Sequence, residues 1–474
     1  MTHNRNKATT YWTLAITSLA LFMVSLDNLV VTTALPVIRR DLHATISQLE
    51  WTVNAYTLTF AVLLLTGAAL GDRFGRRRLF VLGLVLFTGA SAAAALSTSA
   101  NALDVARALQ GVGGAIVTPL TLTLLSAAVP AERRGLALGI WGGIGGLAVA
   151  LGPLVGGAIV DGVSWHWIFW VNVPIGLVLA PLAYSRLDES RGADSSLDLR
   201  GLGLASVGLL GIVWGLVRGN DHGWTSGGIV VPIVAGALLV VAFVAWELRA
   251  ASPMLPMQFF RDRTFALTNV ASLFMFFVMF GSIFFLAQFF QTVQGYSPLQ
   301  SGLRILPWTA MPMFVAPIAG ALSDRIGGQR LMAVGLALQS AGLLWIAAVS
   351  TPTTPYVDLV GPFILAGIGM ALFFAPVANV VLSSVSPAHE GKASGATNAI
   401  RELGGVFGVA VLAAVFTRVG GYRTSETFVH GLTTAVYIGG GLVAVGALAA
   451  ALIKPRPRAA VASAAHALEL EAAA

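Results

Sequence analysis

The chain has 474 residues, of which 56% are apolar and only 10% charged, whereas a soluble domain carries about 25% charged residues. It contains no cysteine, which excludes disulfides, iron–sulfur clusters and thiolate zinc sites, and we expect neither a metal nor a cofactor. The net charge of +7 comes from short basic clusters between apolar segments, so no nucleic-acid partner is expected. The composition predicts an all-α polytopic membrane protein.

The first six apolar segments are each long enough to cross about 30 Å of hydrocarbon. We place them near residues 11–35, 51–71, 79–97, 102–126, 136–160 and 166–185. No small-residue cleavage site follows the first segment, so it is expected to be a retained helix and not a signal peptide. The pattern predicts a polar N-terminal tail at 1–10 and a six-helix bundle over 11–185.

A charged linker and two extra spans separate this bundle from a second one. The linker and the spans near 201–218 and 227–248 occupy residues 186–264. Six further spans are predicted near 265–290, 300–322, 331–350, 357–385, 393–417 and 428–452. These form a C-terminal bundle over 265–452, followed by a tail at 453–474, and the total is about fourteen transmembrane helices.

Basic residues collect in alternate loops. One set of loops contains Arg5, Lys7, Arg73, Arg76, Arg77, Arg78, Arg133, Arg134, Arg186, Arg191, Arg200, Arg249, Arg261, Arg263, Arg325, Arg330, Lys392, Lys454, Arg456 and Arg458. The opposite loops contain little beyond Arg39, Arg40, Arg418 and Arg423. Because cytoplasmic loops are enriched in Lys and Arg, both termini are predicted to be cytoplasmic, in the inner membrane of a cell.

The sequence contains an internal repeat. The segment AALGDRFGRRR at 68–78 returns in edited form as GALSDRIGGQR at 320–330, and PAERRG at 130–135 is echoed by PAHEGK at 387–392. Both copies lie between apolar stretches. Two halves that share their turns at a membrane edge are typical of parallel-repeat secondary transporters.

Asp27 is a carboxylate inside the first span, about 12 Å below the outer surface. Such a group costs about 2.5 to 3.5 kcal/mol on insertion scales, so a partner, water or a proton must compensate it. Arg107 lies at a similar depth in the fourth span and is the natural partner. If the two approach each other, separating them in another conformation would favour the protonated acid and couple proton binding to shape. The alternative is that Asp27 only hydrogen-bonds neighbouring helix ends.

Arg304, Arg401 and Glu402 are also charged residues within predicted spans. Arg401 and Glu402 are adjacent in the thirteenth span and point about 100° apart, so they are not expected to pair with each other. We interpret Arg401 as a packing anchor and Glu402 as a candidate second acid. Arg304, near the outer end of the tenth span, is expected to extend its side chain to the surface.

Glycine and aromatic residues mark two other spans. The fifth span contains Gly139, Gly152, Pro153, Gly156 and Gly157, a density that allows close helix approach, with a bend at the proline. The ninth span is rich in phenylalanine and methionine all around the helix, so some of these side chains face inward and suit an apolar cargo. Candidate cavity residues are Phe274, Phe277, Phe280, Gln288, Gln291, Phe373 and Asn379.

These motifs together resemble the major facilitator superfamily (MFS), and within it the fourteen-helix drug:proton antiporters. The cytoplasmic loop signature is met at Leu70, Asp72, Arg73, Gly75, Arg76 and Arg77, with Ala68 in place of a glycine, and again at Gly320, Leu322, Asp324, Arg325 and Gly327. Leu26-Asp27 with Ala34-Leu35-Pro36 resembles the first-helix signature, and Arg107 with Gln110-Gly111-Val112-Gly113 the fourth. Trp165, Trp167, Phe169, Asn172 and Pro174 resemble the sixth-helix signature, with His166 where arginine is commoner.

The resemblance implies an MFS fold of two six-helix bundles around a cavity, with two extra central helices, that exports its cargo by alternating access. The glycine pattern of the fifth helix is shared by exporters and absent from importers of this superfamily, so the implied direction of transport is export. Asp72, Arg73, Arg76, Asp324 and Arg325 would latch the cytoplasmic helix ends in the outward-open state, through charge-assisted hydrogen bonds. The expected partners are an apolar or cationic small molecule, protons and membrane lipids, and the chain is expected to act as a monomer.

Three other functions stay open at this stage. A lipid or lipid-conjugate exporter would share every signature and differ in the size and openings of its cavity. A membrane-embedded enzyme has little support, because the seven histidines are scattered and no His-Glu-x-x-His pattern occurs. A nutrient importer is disfavoured by the fifth-helix glycines.

Overall fold

The structure, a computed structural model, describes residues 2–129, 134–191, 198–385 and 390–454. All regular secondary structure in these ranges is helical. The N-terminal half contains α1 (Thr2–Asp41), α2 (Ile46–Phe74), α3 (Arg76–Ala95), α4 (Ala100–Ala128), α5 (Arg134–Gly162), α6 (Trp167–Trp170) and α7 (Asn172–Arg186). The extra helices are α8 (Leu199–His222) and α9 (Gly227–Glu247). The C-terminal half contains α10 (Arg263–Gln288), α11 (Pro298–Thr309), α12 (Met311–Ile326), α13 (Gly328–Val349), α14 (Tyr356–Leu382), α15 (Glu390–Val419) and α16 (Ser425–Ala451).

Most of these helices are long and apolar enough to cross a membrane. Among the described residues eleven helical segments meet that test, and α2, bent by 51°, makes a twelfth. Helix α5 and the α11–α12 pair stand where the fifth and tenth spans were predicted. The predicted all-α polytopic fold is therefore confirmed, while the predicted C-terminal tail beyond residue 454 lies outside the described residues.

The helices differ from the predicted spans in two ways. Helix α1 begins at Thr2, within the predicted polar tail, because a helix nucleated by a long apolar span extends into flanking residues that lack Gly and Pro. The sixth and tenth spans, predicted as continuous, are each broken, at Val171 and at Ala310. Pro174 and Pro312 follow these breaks, and each lacks the N–H that would continue the hydrogen-bond ladder.

The repeated loops have the same backbone conformation. Gly75, between α2 and α3, has φ +110°, and Gly327, between α12 and α13, has φ +92°. Only glycine adopts this region of backbone space without steric cost. The internal repeat in the sequence thus corresponds to the same helix–turn–helix in each half.

The two halves meet along several helix pairs. Helix α1 packs on α10, α2 packs on α15, and α5 packs on α11. Helix α8 contacts both halves, through α2 of the N-terminal half and α15 of the C-terminal half. Asn220 of α8 donates to the carbonyl of Ala414 at 2.7 Å, and the rings of Trp214 and Trp51 are 5.9 Å apart.

Candidate functional site

Asp27 is the centre of a buried polar network in the N-terminal half. Its side chain is 1% exposed, and Oδ2 lies 2.6 Å from Nη1 of Arg107. Oδ1 accepts hydrogen bonds from Nε2 of Gln110 at 2.8 Å and from Nδ2 of Asn172 at 2.7 Å. Ser91 accepts from the same two amides, at 2.6 and 3.1 Å. Because Asp27 only accepts and never donates, this geometry is that of an ionised carboxylate.

Arg107 is held from several directions. Its Nη1 also donates to Oε1 of Gln110 at 2.8 Å, and its Nε donates to the carbonyl of Thr52 at 3.2 Å. The guanidinium carbon lies 4.2 Å from the ring centroid of Tyr56 and 5.8 Å from that of Phe169. The arginine is fully buried, so the carboxylate and the aromatic faces replace its hydration shell.

The local sequence explains how five helices reach one point. Arg107 and Gln110 are one turn apart on α4 and therefore share a face. Asn172 stands at the start of α7, where the break before Pro174 turns its side chain into the bundle. The sequence suggested Arg107 as the partner of Asp27 from their matched depths but left open whether the two helices touch, and it missed the parts played by Gln110, Asn172 and Ser91. The spacing of Gln110 from Arg107 was the available signal.

Glu402 lies across the interface between the halves from this network. Its carboxyl accepts a hydrogen bond from the side chain of Asn28, the residue that follows Asp27 on α1. Its other oxygen, Oε2, is buried and has no hydrogen-bond partner among the described residues. The structure therefore brings Glu402 next to the first-helix site, a contact that sequence alone did not predict.

Arg401 and Arg304 both lie against aromatic rings. Arg401 donates to Asn398 at 3.2 Å and lies 5.5 Å from the ring of Phe276, which agrees with a packing anchor. Arg304 was expected to extend its side chain to the surface. Its Nη1 donates to the carbonyl of Gln300 at 3.1 Å, and its guanidinium carbon lies 3.4 Å from the ring centroid of Tyr296 and 5.3 Å from that of Tyr356.

The predicted latch residues of the first repeat are tied to their own half. Asp72 pairs with Arg76 at 2.7 Å, and Arg73 lies 5.4 Å from the ring of Phe74. Glu189, which no motif singled out, accepts from the backbone N–H of Arg77 at 3.0 Å. The loop is thus fastened to the segment that follows α7. The side chains of Asp324 and Arg325 lie outside the described residues.

The fifth-helix glycines lie where helices approach most closely. A Cβ on Gly152 would lie 2.6 Å from Cβ of Leu29, and one on Gly156 would meet Val30 and Thr33, all on α1. A Cβ on Gly157 would collide with the backbone of Pro298 at the start of α11. The same close approach is found from the side of α11, because a Cβ added to Gly302 would collide with the carbonyl of Pro153 on α5. Gly139 is on the same helix, but its surroundings lie outside the described residues.

The candidate cavity residues fall into two groups. Phe277, Phe280 and Phe373 are buried, and the first two pack against Gly408 and Gly405 of α15. Phe274 faces Gly446 of α16, and Asn379 is exposed on α14. The phenylalanines therefore fill the interior of the C-terminal half.

Gln288 lies instead at the C-terminal end of α10, and Gln291 lies in the helical turn that follows it. Gln291 donates to the carbonyl of Thr33 at 2.8 Å and so connects the two halves. Gln288 accepts a hydrogen bond from Tyr422, whose pKa is raised by burial, so the phenol stays protonated and donates. A cavity of about 510 Å³ opens here, lined by Pro36, Arg39, Arg40, His43, Ala44, Gln288, Thr292 and Tyr422. No cluster of metal-ligating side chains occurs in the described part of the chain.

A repeated helical architecture with a buried ion pair between spans and glycine contacts between halves is typical of a multi-pass membrane transporter. The comparisons agree. The sequence profile of the Major Facilitator Superfamily matches residues 17–409, and the chain belongs to this family. A solved structure of a bacterial homolog of the human lysosomal transporter Spinster, inward-facing and unoccupied, superposes with a TM-score of 0.67 at 16% identity, covering 94% of this chain and 96% of the other.

Several relatives have names that state what they do. The chain is 38% identical over 421 residues to the cephamycin export protein CmcT of Amycolatopsis lactamdurans, covering 87% of this chain and 86% of the relative. It is 34% identical over 411 residues to the tetracenomycin C resistance and export protein of Streptomyces glaucescens, covering 86% and 76%. It is 37% identical over 405 residues to the multidrug resistance protein Stp of Mycobacterium tuberculosis, covering 85% and 75%.

Proposed function

We propose that this protein is a proton-coupled antiporter that exports apolar or cationic small molecules from the cytoplasm by alternating access. The observation that carries the proposal is the buried pair of Asp27 and Arg107, 2.6 Å apart and held by side-chain amides from α4 and α7. A carboxylate at this depth is costly, so its retention with a full set of donors is typical of a proton site. The relatives named as drug and antibiotic exporters support the direction and the class of cargo.

Proton binding at Asp27 would change the balance of forces around Arg107. An ionised Asp27 holds the guanidinium and joins α1 to α4, whereas a protonated one releases it. Releasing a buried arginine from its carboxylate costs about 3 to 5 kcal/mol, enough to shift the populations of two conformations strongly. Proton uptake from outside and release inside would thus be tied to the tilt of the two halves.

The arrangement of α5 and α11 fits one state of this cycle. Their outer parts are in backbone contact through Gly157 and Gly302, which closes the two halves together there, while Asp27 has the ionised geometry. Such a state follows proton release to the cytoplasm. With the termini cytoplasmic, as the arginine distribution predicts, the cargo would then bind from the inner side or inner leaflet.

Glu402 is the candidate second acid of this scheme. Its Oε2, which has no hydrogen-bond partner in the described part of the chain, is buried at the interface between the halves, beside the helix that carries Asp27. A buried acceptor without a donor is a site where a cationic cargo or a proton stabilises the structure. This position is consistent with binding of cationic drugs.

The proposal is tested by transport in reconstituted vesicles. Wild-type protein should export a fluorescent cationic dye in response to an inward proton gradient, and a protonophore should stop it. Asp27→Asn should bind the dye with an unchanged dissociation constant but lose gradient-driven export, because the amide cannot exchange a proton. Asp358→Asn, at an exposed outer carboxyl, is the control.

Two outcomes would contradict the proposal. Full gradient-driven export by Asp27→Asn would remove this residue from coupling. Export of a labelled phospholipid but of no dye or antibiotic would favour the lipid exporter instead.

A further inference from the structure

Asp104 is a second carboxyl close to Arg107 that no motif singled out. It lies near the outer end of α4, one turn before Arg107, so the two side chains share a helix face about 4.5 Å apart along the axis. Asp104 is partly exposed, whereas Asp27 and Arg107 are both buried. It is therefore better placed than Asp27 to exchange protons with water on the outer side.

Thr52 of α2 contacts both Asp104 and Arg107. Its hydroxyl oxygen lies 2.9 Å from Oδ1 of Asp104 and 3.0 Å from the carbonyl of Gln48, and its own carbonyl accepts from Nε of Arg107. A hydroxyl has a single hydrogen to donate. When this hydrogen points to Asp104, Thr52 donates to the carboxylate, and when it points to Gln48, the Thr52 oxygen can accept from a protonated Asp104. The contact therefore serves both the ionised and the protonated form of Asp104.

The two carboxyls near Arg107 have different surroundings. Asp27 accepts from three donors and has none to give, so it is ionised. Asp104 can hold a proton while Arg107 stays paired with Asp27. Because a buried guanidinium without a carboxylate is strongly destabilising, Arg107 needs one ionised partner at every stage of the cycle.

We propose that Asp104 is the outer proton donor to Asp27 and the alternative anionic partner of Arg107. In the transfer the O–H bond of Asp104 breaks and an O–H bond forms on Asp27, either directly or through water. Arg107 moves from the Asp27 carboxylate to the new Asp104 carboxylate, so the net charge of the group is unchanged. External water returns a proton to Asp104 only after Asp27 has released its own proton on the cytoplasmic side and has taken Arg107 back. The inference rests on the proposed proton coupling.

The other ionisable groups nearby do not compete for these roles. The charge of Arg107 interacts electrostatically with the carboxyl of Asp104. Helix α2 also carries Glu50, but its charge acts on Tyr422, toward the C-terminal half. Helix α3, which packs on α4, contributes the uncharged Ser91 to the network.

The test measures dye efflux from right-side-out vesicles with the inner pH fixed and the outer pH varied, using ethidium as the probe. Wild-type efflux should depend on outer pH, and Asp104→Asn should flatten that profile and slow efflux by up to about a hundredfold, the lower range for a positioned proton donor. Asp104→Glu, which keeps an acid, should restore the dependence. Thr52→Val should shift its midpoint, and Asp358→Asn should match the wild type.

Two results would overturn the inference. A wild-type outer-pH profile for Asp104→Asn would show that the carboxyl donates no proton. Equal impairment of Asp104→Asn and Asp104→Glu would show that the side chain is only structural. If Asp27→Asn loses coupling while Asp104→Asn keeps it, this inference alone fails, whereas coupled export by Asp27→Asn refutes the proposed function.

Discussion

At the scale of single residues, the stability of Asp27 inside the membrane depends on the number of its donors. One guanidinium and two amides satisfy its oxygens, and Tyr56 covers the cation from the other side. A charged pair so enclosed contributes little net stability compared with apolar residues, but losing one member leaves an uncompensated charge. Such a group is therefore better suited to a switch than to a structural support.

Glu402 differs from Asp27 because one of its carboxyl oxygens, Oε2, has no hydrogen-bond donor among the residues that the structure describes. We expect Glu402→Gln to reduce export of cationic dyes, by about tenfold if one buried hydrogen bond to a charge of about 1.5 kcal/mol is lost, and to leave neutral cargo nearly unaffected. Parallel efflux assays with one cationic and one neutral dye measure this selectivity. Glu426→Gln, at an exposed outer position, is the control. Equal loss for both dyes would point to a general folding defect.

At the scale of elements, the contact between α5 and α11 depends on the absence of side chains. Gly157 and Gly302 each lie against the backbone of the opposite helix, so the two halves meet there without intervening atoms. Helix α5 uses its other glycines to approach α1 within its own half. One glycine-rich helix thus packs closely on both sides of the interface.

Enlarging Gly157 should therefore hold the outer side open. In Gly157→Leu the side chain would overlap the start of α11, so the two halves could not close there. The chain has no cysteine, so Leu29→Cys gives a single buried thiol beneath Gly152 for labelling with a membrane-impermeant maleimide from outside. Labelling should be faster in the Gly157→Leu background.

Gly162 provides the matched control for this experiment. A Cβ at Gly162, on the same helix, would meet no atom within 4 Å. Gly162→Leu should leave maleimide labelling at the wild-type rate. Equal labelling in both leucine variants would show that the α5–α11 contact does not control access.

At the scale of the whole molecule, the extra helices α8 and α9 lie across the seam between the halves. Helix α8 contacts α2 of the first half and α15 of the second, so any rocking motion must change at least one of these contacts. Asn220 fixes α8 to α15 through Ala414 and Thr417. Helices α8 and α9 are therefore attached to the interface between the two halves.

Replacing Asn220 tests this attachment. Asn220→Leu should lower stability by about 1 kcal/mol, because the hydrogen bonds to α15 are lost, and this should appear as a lower melting temperature in detergent. Efflux should change as well if α8 must remain docked during transport. Ser206→Ala, which removes only a hydrogen bond within α8, should behave as the wild type. An unchanged melting temperature for Asn220→Leu would contradict the assigned role.

The sequence by itself determined the helical class and the duplicated plan, and it named Arg107 as a candidate partner of Asp27. These follow from hydropathy, a repeat and matched depths, which are local properties read along the chain, whereas the contact between the two side chains came from the structure. The tertiary structure alone showed that Gln110 and Asn172 donate hydrogen bonds to the Asp27 carboxylate, that Glu402 adjoins Asn28, and that α8 contacts both halves. Which faces of separate helices meet depends on the rotation and tilt of each helix in the packed bundle, and apolar spans with little periodicity do not encode that rotation locally.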